Sequence, residues 1–162
     1  MTGSMTEEAD RAAEVFFTAV RRMADGDADG TLRALEEFTG PNDLVAMQRA
    51  WGLATIAPLI IAHVMRRHFA DQVPADGLWT LQSFNDLPIE QAVEASSLAA
   101  ARLLVEHLNA PIGEGTEPGL DMLQAHAREH GPEGVGAMVI ELLKVAAYLW
   151  RAGAFETNGE PL

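Results

Sequence analysis

Residues 25–37 read DGDADGTLRALEE, with carboxylates at alternate positions: Asp25, Asp27 and Asp29. Gly30 and Thr31 follow, and Glu36 comes five residues later. Hard divalent cations want this chemistry. They take six to eight oxygen ligands, alternate carboxylates converge on the ion, a glycine permits the sharp turn, and a late glutamate closes the site with two oxygens. A second pair of metal-binding type is His126 and His130. Four residues apart, they share one face of a helix. A metal at that spacing needs further ligands from another helix. The other histidines are His63, His68 and His107, and no Glu-x-x-His motif supports a carboxylate-bridged di-iron site.

In a twelve-residue window starting at Asp25, the acidic residues and Gly30 fall at positions 1, 3, 5, 6 and 12. This stretch resembles the calcium loop of the EF-hand family. The resemblance covers about a tenth of the chain. It implies Asp25, Asp27, Asp29 and Glu36 as side-chain ligands of calcium, with Thr31 lending its backbone carbonyl. The sequence departs from the family pattern in three ways: Arg33 stands at position 9, Gly40-Pro41 follows the glutamate closely, and there is no second such loop. The same residues also read as a helical hairpin. Gly26 then ends one helix, Asp27 or Asp29 caps the next, and Leu32, Leu35 and Phe38 form its buried face.

Other chemistry leaves no signature. There is no phosphate-cradling glycine loop, no G-x-S-x-G elbow, no H-E-x-x-H and no cysteine nucleophile. Nothing in the sequence supports an enzyme.

The elements that position these residues are helical throughout. The chain is organised around 132–155, PEGVGAMVIELLKVAAYLWRAGAF, where the polar residues Glu141, Lys144, Tyr148 and Arg151 fall on one narrow stripe. Such a helix is buried on most sides, at about 1.5–3 kcal/mol per large apolar side chain. Gly153 suits its exit. Glu141 and Lys144 fall mid-segment and argue against a membrane span. A first helix runs from Thr6 to about Ala24. A long segment over 43–70 carries Pro58, which predicts a kink, and its outward stripe is Gln48, Gly52, Thr55, His63 and Arg66. Leu78, Trp79, Leu81 and Phe84 predict a short helical turn that lids the core. Asp86 and Pro88 open a helix to about Asn109, with Ile89, Ala92 and Val93 on its apolar face. A loop over 109–119 precedes a short helix over 119–130, stopped by Gly131-Pro132. The fold expected is all-α: a compact bundle of about six helices in a single domain over 1–162. Its C-terminal helix is buried, its central helix is proline-kinked, and residues 1–5 and 156–162 are loose.

The net charge of −13 argues against binding nucleic acid, which needs clustered Lys and Arg. The absence of cysteine and of a signal-peptide pattern points to a cytoplasmic protein that spans no membrane. The apolar excess of the two central helices predicts a non-enzymatic protein-interaction module, most simply a homo-oligomer. The alternatives are a calcium-binding protein using loop 25–36, and a binder of small apolar ligands near Trp51, Trp79 and Trp150.

Overall fold

A computed structural model describes residues 2–41, 43–87, 95–111 and 115–155. These residues form an all-α structure: α1 (Thr2–Ala24), α2 (Ala28–Thr39), α3 (Asp43–His68), a 3₁₀ turn (Ala70–Gln72), α4 (Leu81–Asn85), α5 (Ala95–Asn109) and α6 (Leu120–Arg151). Of the helix start expected at Asp86 and Pro88, Asp86 instead ends α4 as its C-cap, while Pro88 and the apolar positions Ile89, Ala92 and Val93 lie outside the described residues, as do residues 156–162.

Helix α6 packs against α1, α3 and α5, and so sits at the centre. Its apolar circumference explains this. Met138, Leu142, Leu143, Ala146 and Leu149 are all at most 1% exposed. The polar stripe meets water only in part, because Glu141 is buried and Tyr148 half-buried. Lys144 and Arg151 reach water, and the buried Glu141 carboxylate accepts a 3.0 Å bond from Lys144 Nζ. An unpaired carboxylate there would be costly; the lysine three residues on satisfies it. The helix leaves through a Schellman turn. Gly153 adopts φ 78°, its N–H donates to Trp150 O, and Ala154 N–H donates to Leu149 O.

Gly131 breaks α6 into two arms, with φ 70° and ψ −170° inside an otherwise helical run. The separation expected between 119–130 and 132–155 is thus an elbow rather than a loop. Gly134 lies against the outgoing turn, where an added Cβ would collide with His130 Cβ.

Helix α3 continues through Pro58, which is buried. Its inward residues Leu53, Ala54, Ala57, Ile61, Val64 and Met65 are 0–3% exposed. Helix α4 starts on a reciprocal capping box between Thr80 and Ser83. Trp79 and Phe84 are buried there as the lid reading requires, but Leu78 is 56% exposed. Leu78 precedes the Thr80 cap, so the apolar face of α4 does not extend to it.

Arginines close several helix ends from neighbouring elements. Arg49 of α3 donates to Phe38 O near the end of α2, at 2.7 Å, and lies over the Phe38 ring. Arg66 of α3 donates to the carbonyls of His107 and Ala110 at the end of α5. Arg151 of α6 donates to Ala24 O at the end of α1, at 3.3 Å. The last carbonyls of a helix lack partners within the helix and carry its partial negative charge, which the guanidinium fork answers with several donors.

Candidate functional site

The acid-rich segment forms the hairpin between α1 and α2. Gly26 has φ 81° and its N–H donates to Met23 O, while Asp27 N–H donates to Arg22 O at 2.9 Å. These two bonds are a Schellman exit for α1. Helix α2 begins at the next residue. Asp27 is its N-cap, and Asp27 Oδ1 accepts from Gly30 N at 2.9 Å. A Cβ on Gly30 would run into that carboxylate. Thr31 is buried and its hydroxyl donates to Asp27 O at 3.0 Å. Asp29 lies in the first turn of α2, beside the positive end of its dipole.

This placement governs what the five candidate ligands can do. Asp29, Thr31 and Glu36 all belong to the regular helix α2, so the carbonyl of Thr31 points along the helix axis. Glu36 stands seven residues beyond Asp29, or about 10 Å along that axis. Asp25, Asp27, Asp29 and Glu36 are exposed, and Asp27 is committed to its cap. Gathering them around one ion requires the first turns of α2 to unwind. Among the described residues, no three His, Cys, Asp or Glu side chains form a group able to hold a metal.

The buried face of α2 also differs from the periodicity reading. Gly30, Thr31, Ala34 and Phe38 are buried, and Leu32 is 48% exposed. The small residues face α1 and let it come close, with Arg22 donating to Gly30 O. That contact sets the phase of α2 and turns Leu32 outward.

His126 and His130 do share a face, with ring centroids 4.6 Å apart. His126 Nε2 donates to Gly134 O across the elbow at 3.1 Å. The carbonyl can only accept, so this bond fixes the proton on Nε2. His63, His68 and His107 do not join the pair. The inner side of the elbow forms a cleft of about 250 Å³ against α5, with Leu103, Leu123 and Met138 in its wall and Arg102, His126 and Glu129 as its ionisable residues. It is smaller than the ~300–1,000 Å³ of most small-molecule pockets. None of the three tryptophans lines it. Trp79 is instead clasped by Asn109, which accepts from its N–H at 2.7 Å and donates to its carbonyl at 2.8 Å. Trp150 packs against Phe155.

No family model, curated protein or solved structure matches the chain.

One charged site has no motif to announce it. His107 of α5 is 3% exposed. Burial, and then the Arg66 guanidinium beside it, lower its pKa from 6.5 to about 4. Its sequence signal is positional: His107 falls on the same helical face as Ala100, Leu103, Leu104 and Leu108, all buried.

Proposed function

We propose that this protein is a helical self-association module whose contact surface is the outward face of α3. One observation carries the reading. Helix α3 is apolar enough to hold an 18-residue window of mean hydropathy 1.5, yet only 28% of that window is buried. Its outward stripe includes Gln48, Gly52, Thr55 and His63, flanked by the half-buried Trp51, Ile56, Leu59 and Ile60. Gly52 supports the same reading. A helix-interior glycine costs about 0.5–1 kcal/mol relative to alanine. Nothing within the described fold lies within 4 Å of a Cβ placed there, so no internal packing requires it. A second α3 crossing at Gly52 would approach closely and cover the apolar flanks, in a two-fold contact where each copy offers the same surface.

Sedimentation equilibrium tests this. The mass should rise from the monomer value of 17.4 kDa with concentration. Association should strengthen with salt, because screening relieves the repulsion between two chains of charge −13. Gly52→Arg should hold the protein monomeric without lowering its melting temperature in dilute solution. A monomer at every concentration and salt would sink the proposal. A second reading, insertion of α3 into a membrane, rests on the 25-residue stretch Leu44–His68 and the same apolar window. Co-flotation of the protein with lipid vesicles would favour that reading instead.

A further inference from the structure

The junction of α3 and α5 holds a buried imidazole beside a guanidinium. Arg66 crosses from the last turns of α3 and donates to the carbonyls of His107 and Ala110, so it fastens the end of α5 and the start of the following connection. A void of about 20 Å³ adjoins the two side chains, bounded by Leu59, Ala62, Ala110, Pro111, Gly115 and Pro118. None of those bounding residues is titratable. Such a void has room for roughly one water. Glu106 and Glu117, the neighbouring carboxylates among the described residues, are exposed. Among the described residues neither pairs with Arg66 or His107. Among the described residues, a charged His107 would therefore meet a cation and no compensating anion. Two residues further on, Asn109 clasps the backbone of Trp79, which ties the loop before α4 to the same helix end.

We propose that His107 and Arg66 form an acid-release latch: protonation of the buried imidazole sets a second cation beside the guanidinium and frees the end of α5, with its Trp79 clasp, from the last turns of α3. The neutral imidazole favours the closed junction. In the open junction His107 meets water and regains its ordinary affinity for a proton. The folded value is the depressed one, so closure is fully favoured above about pH 6.5. It weakens as pH falls towards 4. Between about pH 7.5 and 5 the open-to-closed ratio should rise about 30-fold. The latch does not depend on self-association.

Trp79 supplies the readout, because it is buried and bonded to the helix end that moves. With Trp51 and Trp150 replaced by phenylalanine, and native helicity confirmed at neutral pH, Trp79 emission should shift to the red between about pH 6.5 and 4 while far-UV circular dichroism holds. In the same background His107→Gln should abolish the shift. The unmodified protein provides a second measurement: in NMR the His107 ring should titrate well below the ordinary imidazole value of 6.5. Three optical results would each overturn the latch. These are an unchanged Trp79 emission, the same shift in His107→Gln, or a loss of helicity in step with the shift, which would be global acid unfolding. A His107 ring that titrates at the ordinary imidazole value of 6.5 also overturns it.

Discussion

At the hairpin between α1 and α2, three aspartates stand in water within five residues of one another, and the one with a bonding task, Asp27, closes a helix. At the junction of α3 and α5, one imidazole and one guanidinium share a buried site although 41 residues separate them. The first region has the composition of a cation site and the geometry of a turn. The second has no motif and carries the electrostatic tension. Exposed carboxylates are solvated and screened, so grouping them costs little and fixes little. A buried ionisable group has no such freedom, and its protonation state is coupled to the fold.

The comparison would break first on acid. From about pH 7.5 to 4.5, His107 should cost the native state roughly 2.5 kcal/mol, because its folded affinity for protons is the lower one. Urea titrations of His107→Gln should show a correspondingly flatter loss over that range; parallel pH profiles would remove the tension argued for this site. Arg66→Leu leaves the carbonyls of His107 and Ala110 without their charged donor and should cost about 2 kcal/mol, or about 4–8 °C in a thermal melt. At the hairpin the effects are smaller. Thr31→Val and Asp27→Ala should each cost about 1 kcal/mol, through the lost buried hydroxyl bond and the lost N-cap. Smallest of all, melts in calcium, magnesium and EDTA should superimpose, and Asp25→Ala or Glu36→Ala should change stability by less than about 0.5 kcal/mol. A calcium-specific rise abolished by those two substitutions would instead show that α2 unwinds to build the loop its sequence resembles.

Local features of this fold were legible in the sequence. The stripe Glu141–Lys144–Tyr148–Arg151, the exits at Gly26 and Gly153, and the break before Pro132 all follow from helical spacing and from glycine at positive φ. The outward stripe of α3 through Gln48, Gly52, Thr55 and His63 is also where spacing puts it. Arg66 departs from that stripe: it turns towards α5 and becomes half-buried. Leu32 shows a second limit, because the phase of α2 is set by contact with α1 and not by its own apolar residues. The position of His107 on a buried face was its one sequence signal, and it did not reveal the partner, Arg66 on another helix. Sequence-local reasoning finds caps and faces. It does not find pairs formed when distant helices meet.

The central place of α6 has a consequence for synthesis. Helix α3 is complete at His68, and the helix that covers its inner face ends at Arg151, roughly 80 residues later. At ~5–20 residues per second, this apolar helix waits on the order of ten seconds on the ribosome before α6 emerges. During that interval α1 and α2 are already available to pack against it. The capped hairpin, unremarkable as chemistry, is the first shelter the nascent α3 meets.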